Sequence, residues 1–502
     1  MSYTQVNALE QDAFEVLSLV WSLKNTFAPI NKTPADVLTM IPDYWDERIR
    51  DQNLITLTHV CRGWRDIFTS CPSLWARLDC TNVRKTRVYL ERSKSSPLEI
   101  HIGDSSEAAS YLVPHIGRLK TLYAHTTSGS IPPALVRHFS CRLPLLEKLT
   151  IKSLYGRLPP LPEELFGGDL SSLRELSLGP GVPTPLPWKD MWNLTTLTLD
   201  RMAEYDFPLT QLLNFFESAP HIRYIYIHNS IPYSSDAPAQ RVVSLTHLKK
   251  LKITSQPVHS TLLNHLSIPA GASLTLEFSC GRVESPIHSY LPKSSDGLLN
   301  LSHITTVNLS FGPCRRFLRL HGPSGELRVL GGRQRCENAT YNMVDQFLWS
   351  LGRFDLSRSR RLVIQQCHVR SPSPGSIAEC ATYQTLDSLK DLYSLTLIQC
   401  GNLPFFLILD PDTNPPTTVL CPKLKEITLY IKGPDDLPVD ELLKMAEERA
   451  SRGARLSVIT IVSTGTLAPE KDVFQLRKHV SRVKCKFEDA PPEWDTLPGQ
   501  VV

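Results

Sequence analysis

Six arginines lie within residues 315–335, and their type and spacing suggest chemistry more directly than any other side chains do. They are Arg315, Arg316, Arg319, Arg328, Arg333 and Arg335. A guanidinium binds phosphate or carboxylate through paired N–H groups, so such a cluster suits a phosphorylated or acidic peptide. Charge runs are also common on solvated faces, and that interpretation stays open. The window is therefore a candidate site for an anionic partner.

The chain lacks the catalytic signatures that depend on fixed spacing. It has no G-x-x-x-x-G-K-[ST] phosphate-binding loop, no H-E-x-x-H zinc motif and no G-x-S-x-G nucleophile elbow. Its 15 histidines are dispersed and its 12 cysteines include no C-x-x-C pair, so a zinc site is not indicated. We expect no catalytic residue, no metal site and no cofactor. An enzyme with a site hidden in the repeats is the alternative, and it would need a deep pocket with perturbed titratable groups.

Composition argues against several classes of partner. Lys and Arg number 54 against 50 Asp and Glu, and a net charge of +4 is too balanced to indicate nucleic acid or an anionic membrane. The N-terminus lacks the basic start and cleavage site of a secretory signal. The apolar run over residues 14–23 contains Glu15 and is about half of the ~20 residues that cross a bilayer. We expect a soluble protein of the cytoplasm or nucleus.

Residues 1–28 are predicted to form a helical lead-in. Val16, Val20, Leu23 and Phe27 recur at helical spacing and form one apolar stripe. We expect this stripe to pack beside the segment that follows.

Residues 29–78 are predicted to form three short helices. Thr33 is expected to cap the first helix, with Pro34 at its first position and Asp36 completing a capping box. Pro42 should end or kink this helix because proline has no N–H donor. A second helix is predicted from Asp51, and a third element from Pro72. The second helix would carry on one face Leu54, Leu57, Val60, Cys61, Trp64 and Phe68.

So small a unit cannot bury this many large apolar groups by itself, so some of them should face another protein. The module resembles the F-box, through Pro34 with Val37-Leu38, the Leu54-x-x-Leu57-x-x-Val60-Cys61-Arg62-x-Trp64-Arg65 helix and the Pro72-Ser73-Leu74-Trp75 close. The resemblance implies docking on the Skp-type adaptor of an SCF-type cullin-RING ubiquitin ligase. The implied contact residues are Pro34, Val37, Leu38, Ile41, Leu54, Leu57, Val60, Cys61, Trp64, Leu74 and Trp75.

One residue departs from the F-box pattern. Most F-boxes have Leu where this chain has Thr33, so we expect one apolar contact with the adaptor to be missing. A weakened module leaves open a scaffold that binds the adaptor outside a ligase. An ordinary helical subdomain, in which Trp64 and Trp75 are core residues, is a further alternative.

Beyond residue 95 the chain repeats the phrase apolar-x-x-apolar-x-apolar, whose alternating end is typical of a strand with one buried face. Successive copies in the first half are 21 to 28 residues apart. The clearest copies are Leu146-Leu149-Ile151, Leu173-Leu176-Leu178, Leu194-Leu197-Leu199, Ile222-Ile225-Ile227, Leu248-Leu251-Ile253, Ile304-Val307-Leu309, Leu392-Leu395-Leu397, Leu424-Ile427-Leu429 and Leu456-Ile459-Ile461. Helices are predicted between strands at residues 209–219, 344–351 and 439–450.

This period and phrase predict degenerate leucine-rich repeats that stack into a solenoid. An F-box followed by such repeats resembles the large F-box families of mushroom-forming fungi. The predicted fold is therefore α/β, a short all-α F-box module followed by an irregular leucine-rich-repeat solenoid. Its predicted divisions are a lead-in at 1–28, the F-box at 29–78, a linker at 79–94, the solenoid at 95–487 and a tail at 488–502.

The resemblance implies a non-catalytic substrate receptor, whose repeat domain binds an unknown substrate protein. Residues that alternate with the buried strand positions should be free for recognition. These positions are Thr150, Ser177, Thr198, Tyr226, Lys252, Asn308, Thr396, Thr428 and Thr460. The predicted substrate contacts are Tyr226, Lys252, Asn308, Arg316 and Arg319.

Overall fold

The structure is a computed structural model, and it describes most of the chain with gaps in connecting segments. The described residues are 2–103, 106–127, 141–154, 158, 167, 170–180, 182, 191–201, 208–230, 240–255, 260–278, 291–292, 294–310, 316–331, 351–365, 381–400, 419–433, 436–437, 439–465 and 470–488. The chain divides into two compact units, Met1–Pro183 with Pro187–Met191 and Thr184–Leu186 with Trp192–Val502.

The first unit begins with helices and continues into a parallel sheet. Its helices are α1 (Tyr3–Thr26), α2 (Ala35–Met40), α3 (Glu47–Leu57), α4 (Arg62–Ser70), α5 (Val83–Arg92) and α6 (Ser106–Ser110). Short 3₁₀ helices span Pro29–Lys32, Ile41–Tyr44, Pro72–Trp75 and Val113–Arg118. Its strands are β1 (Arg77–Asp79), β2 (Leu98–Ile102), β3 (Leu119–Thr126), β4 (Lys148–Ser153) and β5 (Glu175–Leu178), which pair in chain order and in parallel.

The second unit is a larger, mostly parallel sheet with helices between some of its strands. Its strands are β6 (Thr196–Asp200), β7 (Tyr224–His228), β8 (Val243–Ser244), β9 (Lys250–Ser255), β10 (Leu266–Ser267), β11 (Ser273–Phe278), β12 (Thr306–Ser310), β13 (Arg316–Gly322), β14 (Gly325–Gly331), β15 (Arg361–Gln365), β16 (Ser394–Ile398), β17 (Glu426–Ile431), β18 (Val458–Ser463) and β19 (Arg482–Phe487). Its helices are α7 (Leu209–Ser218), α8 (Ser260–Leu263), α9 (Ala381–Ser388), α10 (Val439–Ser451) and α11 (Glu470–His479), with a 3₁₀ helix at Leu299–Leu301.

A hairpin interrupts the chain order of this second sheet. The strand order is β6-β7-β9-β11-β14-β13-β12-β15-β16-β17-β18-β19, and β13 runs antiparallel to both of its neighbours. The tight turn between β13 and β14 requires glycine at both ends. A Cβ on Gly322 would lie 1.7 Å from the His303 carbonyl oxygen, and Gly325 has a φ of +131°. The described part of the arginine-rich window, residues 316–331, therefore forms two strands inserted between β11 and β12.

The predicted strand phrases coincide with strands throughout both units. Their alternating apolar residues form the core, as with Leu149 and Ile151 in β4 and Leu395 in β16, each 0% exposed. The helices predicted at 209–219 and 439–450 are confirmed by α7 and α10. The helix predicted at 344–351 lies outside the described residues except for Leu351, and the tail does so except for Glu488. The mixed α/β class is confirmed.

Several local predictions are wrong. Helix α2 is capped by Pro34 without a side-chain hydrogen bond, so Thr33 does not cap it. The helix predicted from Asp51 is two helices, because Cys61 leaves helical geometry and its Sγ caps α4 through the Trp64 N–H. The predicted linker at 79–94 contains α5, and parallel pairing begins with β1, before residue 95. Pro42 does end α2, and a 3₁₀ turn follows.

Helix α1 does not pack through its predicted stripe. Val16, Val20, Leu23 and Phe27 are 49 to 78% exposed, and α1 has no buried residue. The helix instead contacts α4 through a polar side, where Arg62 Nη2 donates to Ser18 Oγ at 2.7 Å. A polar contact of this kind leaves the apolar stripe facing away from the module.

Candidate functional site

The helical module comprising α2, α3, α4 and the 3₁₀ helix at Pro72–Trp75 buries part of the predicted adaptor-binding set. Leu38, Leu54, Trp64, Leu74 and Trp75 are at most 9% exposed. These side chains form the core of the helical module, so they support it from within. Their burial follows from helical spacing, since each occupies an inward position of its element.

The remaining predicted adaptor residues are accessible. Val37 and Val60 are 47% and 53% exposed, and Pro34 is also exposed. Ile41, Leu57 and Cys61 are half-buried. The module thus presents apolar groups on α2 and in the turn after α3, while its core is already filled.

Three further apolar side chains on the module surface were missed by the sequence analysis. Met40, Ile49 and Ile55 are 52%, 49% and 42% exposed. Large apolar residues at solvent positions of short helices often mark a protein contact. The signal that could have found them is their helical phase relative to the buried Leu38 and Leu54, because each of the three points away from the inward face of its helix.

Trp75 has a structural role in the module. The Trp75 indole is 1% exposed, donates a 2.8 Å hydrogen bond to the Phe68 carbonyl oxygen and meets Tyr89 edge-on at 5.0 Å between ring centroids. The guanidinium of Arg92 lies over the Trp75 ring at 4.3 Å. Trp75 therefore ties the module to α5 of the same unit.

An ion-pair cluster reinforces that junction. Lys85 of α5 contacts the carboxylates of Asp51 and Asp79, the latter at 3.0 Å. Burial opposes ionisation of Asp79, but the hydrogen bonds from Lys85 and Thr81 and the Lys85 charge outweigh it and lower its pKa. The cluster joins α3, α5 and the end of β1.

A cavity of about 480 Å³ lies between α1 and α4. Its lining combines apolar groups such as Leu19, Leu38 and Ile67 with polar groups such as Asn31 and Arg62. The only thiol among its lining residues, Cys61, caps α4. The cavity therefore offers a mixed surface for an apolar side chain rather than an arrangement of paired acids and bases.

The predicted recognition residues of the second unit form one row across its sheet. Backbone register places Tyr226 beside Thr198 and Lys252 on adjacent strands. The row continues through Thr275, Arg328, Arg319 and Asn308, and then through Val363, Thr396, Thr428 and Thr460. Adjacent strands lie about 4.8 Å apart, so four of the predicted substrate contacts, Tyr226, Lys252, Asn308 and Arg319, share one continuous surface.

Accessibility varies along this recognition row. Tyr226, Lys252 and Asn308 are half-buried. Thr396 is only 5% exposed, and Thr150 in the first unit is also 5% exposed, so their predicted freedom for recognition is wrong. Thr396 lies beside Val363, and Thr150 lies beside Tyr123. Because the threonine side chain is short, these larger neighbours leave little of it accessible.

Charges near Tyr226 are arranged in pairs. Lys252 Nζ lies 2.8 Å from Glu277 Oε1, and Thr254 donates to the other oxygen of Glu277 at 3.0 Å. Lys250 Nζ lies 5.8 Å from the centre of the Tyr226 ring. Burial and the Lys252 charge lower the pKa of the nearby His228, although Asp200 and Glu277 act in the opposite direction. This part of the row is polar and amphipathic, which suits a peptide or protein surface.

The arginines of the hairpin are engaged with a carboxylate of the same sheet. Arg319 Nη2 lies 3.0 Å from Glu326 Oε2, and Arg328 Nη2 lies 3.0 Å from Glu326 Oε1. Ser273 Oγ adds a 2.9 Å hydrogen bond to Glu326. Burial opposes ionisation of Glu326, but these hydrogen bonds and charges lower its pKa. Arg319, Arg328 and Glu326 together carry a net charge of +1, which is less positive charge than the six arginines of the window suggest.

The third described position of the arginine window is Arg316, whose backbone begins β13 at a register position opposite Gly331 and whose side chain lies outside the described part. Arg315, Arg333 and Arg335 lie outside the described residues.

The sheet of the first unit carries an aromatic and histidine cluster that the sequence analysis missed. His101 stacks on Tyr123 with 4.3 Å between ring centroids, and Lys148 Nζ lies 5.8 Å from the Tyr123 ring centre. Lys148 also pairs with Glu175 at 2.7 Å. The alternation of Leu98, Ile100 and Ile102 would have placed His101 outward, had β2 been recognised.

Among the described residues, no group of three or more His, Cys, Asp or Glu side chains could hold a metal ion. Burial raises the pKa of the Cys80 and Cys421 thiols to about 12, so both are protonated at neutral pH. No helix in the described segments is both long enough and apolar enough to span a membrane.

No protein-family model matches the chain, and a search of curated proteins found no significant match.

Proposed function

We propose that this chain is a non-catalytic substrate receptor of an SCF-type cullin-RING ubiquitin ligase. In this proposal the helical module is an F-box that binds a Skp-type adaptor, and the sheet is a degenerate leucine-rich-repeat solenoid that binds a substrate protein. Its place of action would be the cytoplasm or nucleus. Its role would be to raise the effective concentration of the substrate near the activated ubiquitin.

The observation that carries the proposal is the set of exposed apolar groups on a module whose core is already complete. Val37, Met40, Ile55 and Val60 remain 42 to 53% exposed, although Leu38, Leu54 and Trp64 fill the interior. Surface apolar groups on α2, on α3 and in the turn after α3 suit a contact with another protein. The F-box resemblance supplies the identity of that protein.

The sheet supports the second half of the proposal. In-register parallel strands place one side chain per strand along a row, as between Tyr226 and Lys252. Such a surface can vary in sequence without disturbing the buried leucines. A half-exposed tyrosine beside paired charges combines contact area with hydrogen-bonding capacity.

The test is capture of purified Skp-type adaptor by the full chain. We expect the double variant Ile55→Asp, Val60→Asp to weaken adaptor binding by about thirtyfold or more, because each change places a charge in an apolar contact. Val242→Asp is the matched control, since Val242 is 55% exposed and lies in the second unit. Unchanged adaptor binding by the folded double variant would refute the F-box assignment.

A scaffold that binds the adaptor outside a ligase is the second candidate. The specific observation in its favour is Thr33, which stands where most F-boxes carry leucine and is half-buried before α2. Purification of the chain from cells distinguishes the two functions. A receptor brings down adaptor and cullin together, whereas a scaffold brings down the adaptor without cullin.

A further inference from the structure

Helix α1 carries a heptad repeat that faces away from its own module. Apolar residues occupy alternating intervals of three and four over nearly the whole helix, the pattern of the a and d positions of a coiled coil. These seam residues are Val6, Leu9, Ala13, Val16, Val20, Leu23 and, directly after the helix, Phe27. All seven are exposed, with Leu23 at 63% and Phe27 at 78%.

The helix is held on the opposite side. Ser18 and Ser22 are its half-buried residues, and Ser18 accepts the 2.7 Å hydrogen bond from Arg62 of α4. Beyond the end of α1, Asn31 Nδ2 donates to the Asn25 carbonyl oxygen at 2.6 Å. Ser18, Ser22 and Asn25 occupy the outer c and f positions of the heptad. The module therefore fixes α1 through its polar side and leaves the seam uncovered.

We propose that α1 is a dimerisation helix, which forms an antiparallel two-stranded coiled coil with α1 of a second copy of this chain. The proposal goes beyond the proposed ligase function and does not depend on it. Three consecutive heptads keep the apolar residues at an average spacing of 3.5 residues, which is the spacing that packs one helix against another. A helix that lies on a flat surface does not need this spacing.

The flanking charges select a second copy as the partner and antiparallel as the direction. In an antiparallel pair, e positions face e positions across a two-fold axis. Here Glu10 of one chain would face Lys24 of the other, and Leu17 would meet its own symmetry mate. In a parallel pair, g positions face e positions of the partner helix, so Asp12 would face Leu17 and Leu19 would face Lys24. Neither of these contacts is an ion pair. The seam layers of the antiparallel pair are Leu9 with Phe27, Ala13 with Leu23, and Val16 with Val20.

The charge of the helix disfavours a lipid surface as the occupant. Glu10, Asp12 and Glu15 outnumber Lys24 on α1. Interfacial helices that bind anionic bilayers carry Lys and Arg on their polar face. The polar face of α1 carries serine and asparagine and is already in use against α4.

Sedimentation equilibrium of the purified full chain, without adaptor, tests the proposal. We expect the wild type to reach twice the 56.5 kDa of one chain as its concentration rises. Val20→Asp should weaken the dimer by about a hundredfold or more, because it places an unpaired carboxylate in each of the two central Val16–Val20 layers. Gln11→Asp is the matched control on the exposed outer face and should leave the dimer intact. A wild type that stays monomeric at all concentrations, with or without binding to phosphatidylserine vesicles, overturns the proposal.

Charge reversal tests the antiparallel arrangement without touching the seam. Glu10→Lys alone and Lys24→Glu alone should each weaken the dimer by about tenfold, since each replaces two attractive pairs with two repulsive ones. The double variant should restore wild-type association. If the double variant dimerises more weakly than either single variant, the antiparallel pairing is overturned. Because no adaptor is present, failure here leaves the ligase proposal to its own test.

Discussion

The indole Nε1 of Trp64 donates a 2.6 Å hydrogen bond to Oδ1 of Asn31. Asn31 in turn donates to the last turn of α1, so this bond links the core of the helical module to the helix that precedes it. Trp64 is 9% exposed and lies 5.7 Å from Phe68 between ring centroids. A residue assigned to partner binding from its motif is therefore also a structural residue, and its replacement cannot separate the two roles.

Removing the Asn31 side chain should leave the Trp64 N–H without its acceptor. We expect Asn31→Ala to lower the free energy of unfolding by about 1–2 kcal/mol. In the Trp64→Phe background the same change should cost much less, because phenylalanine has no N–H donor. Urea denaturation of the four proteins of this double-mutant cycle measures the coupling. Equal costs in both backgrounds would show that the bond contributes nothing.

A charge in the buried layer of the sheet should destabilise neighbouring strands. Leu395 is 0% exposed and lies in register between Leu362 and Ile427. Leu395→Asp should cost about 3 kcal/mol or more, from lost apolar burial and an unpaired carboxylate. Hydrogen exchange should show lost protection in β15 and β17 as well as in β16. Loss confined to β16 would contradict shared stability between stacked strands.

The Glu326 cluster should stabilise the hairpin in a pH-dependent manner. Its folded-state pKa is lowered, so the stabilisation is present above the unfolded-state value near 4.5 and is lost as pH falls through the folded pKa. We expect Glu326→Gln to cost about 1–3 kcal/mol at pH 7, because Arg319 and Arg328 lose their partner. The difference from wild type should shrink as the pH falls below the unfolded-state value near 4.5 and through the lower folded pKa. The exposed Glu91→Gln is the control, and a difference that does not vary with pH would contradict this account.

Arg449 should stabilise the backbone conformation of the segment before β17. Its guanidinium is 1% exposed and donates to the carbonyl oxygens of Leu420 and Cys421 at 2.8 and 2.9 Å. Cys421 has a φ of +46°, which these bonds help to hold. We expect Arg449→Met to lower the free energy of unfolding by about 2–4 kcal/mol, and Arg449→Lys to rescue it only partly. Lys444→Met, at an exposed position of the same helix, is the control in denaturant titrations.

The recognition row should determine which proteins the chain captures. We expect Tyr226→Ala, Lys252→Ala to lose substrates while adaptor binding and thermal stability are retained, because both side chains lie on the face opposite the core. Tyr393→Ala is the matched control, since Tyr393 is 46% exposed and lies outside the row. Quantitative mass spectrometry with the proteasome inhibited compares the partners. An unchanged set would move substrate binding away from Tyr226 and Lys252.

Local periodicity was sufficient to locate most strands and to assign their faces. The alternation at Leu395 and Leu397, and at Ile427 and Leu429, placed these residues in the core because side chains in a strand alternate between its two faces. The same rule predicted that Tyr226 and Lys252 lie on the face opposite the core. The helices α7 and α10 were predicted from their spacing and their ends.

Only the tertiary structure decided which groups the clustered arginines contact and which way the apolar stripe of α1 faces. The sequence places Arg319 and Arg328 in a basic window, but the turn at Gly322 and Gly325 brings Glu326 between them. The sequence also gives α1 an apolar stripe, but the polar contact of Ser18 with Arg62 directs that stripe outward. Periodicity reports which residues of an element share a face. Which face meets a neighbour depends on contacts between residues far apart in the chain, and these exist only once the chain has folded.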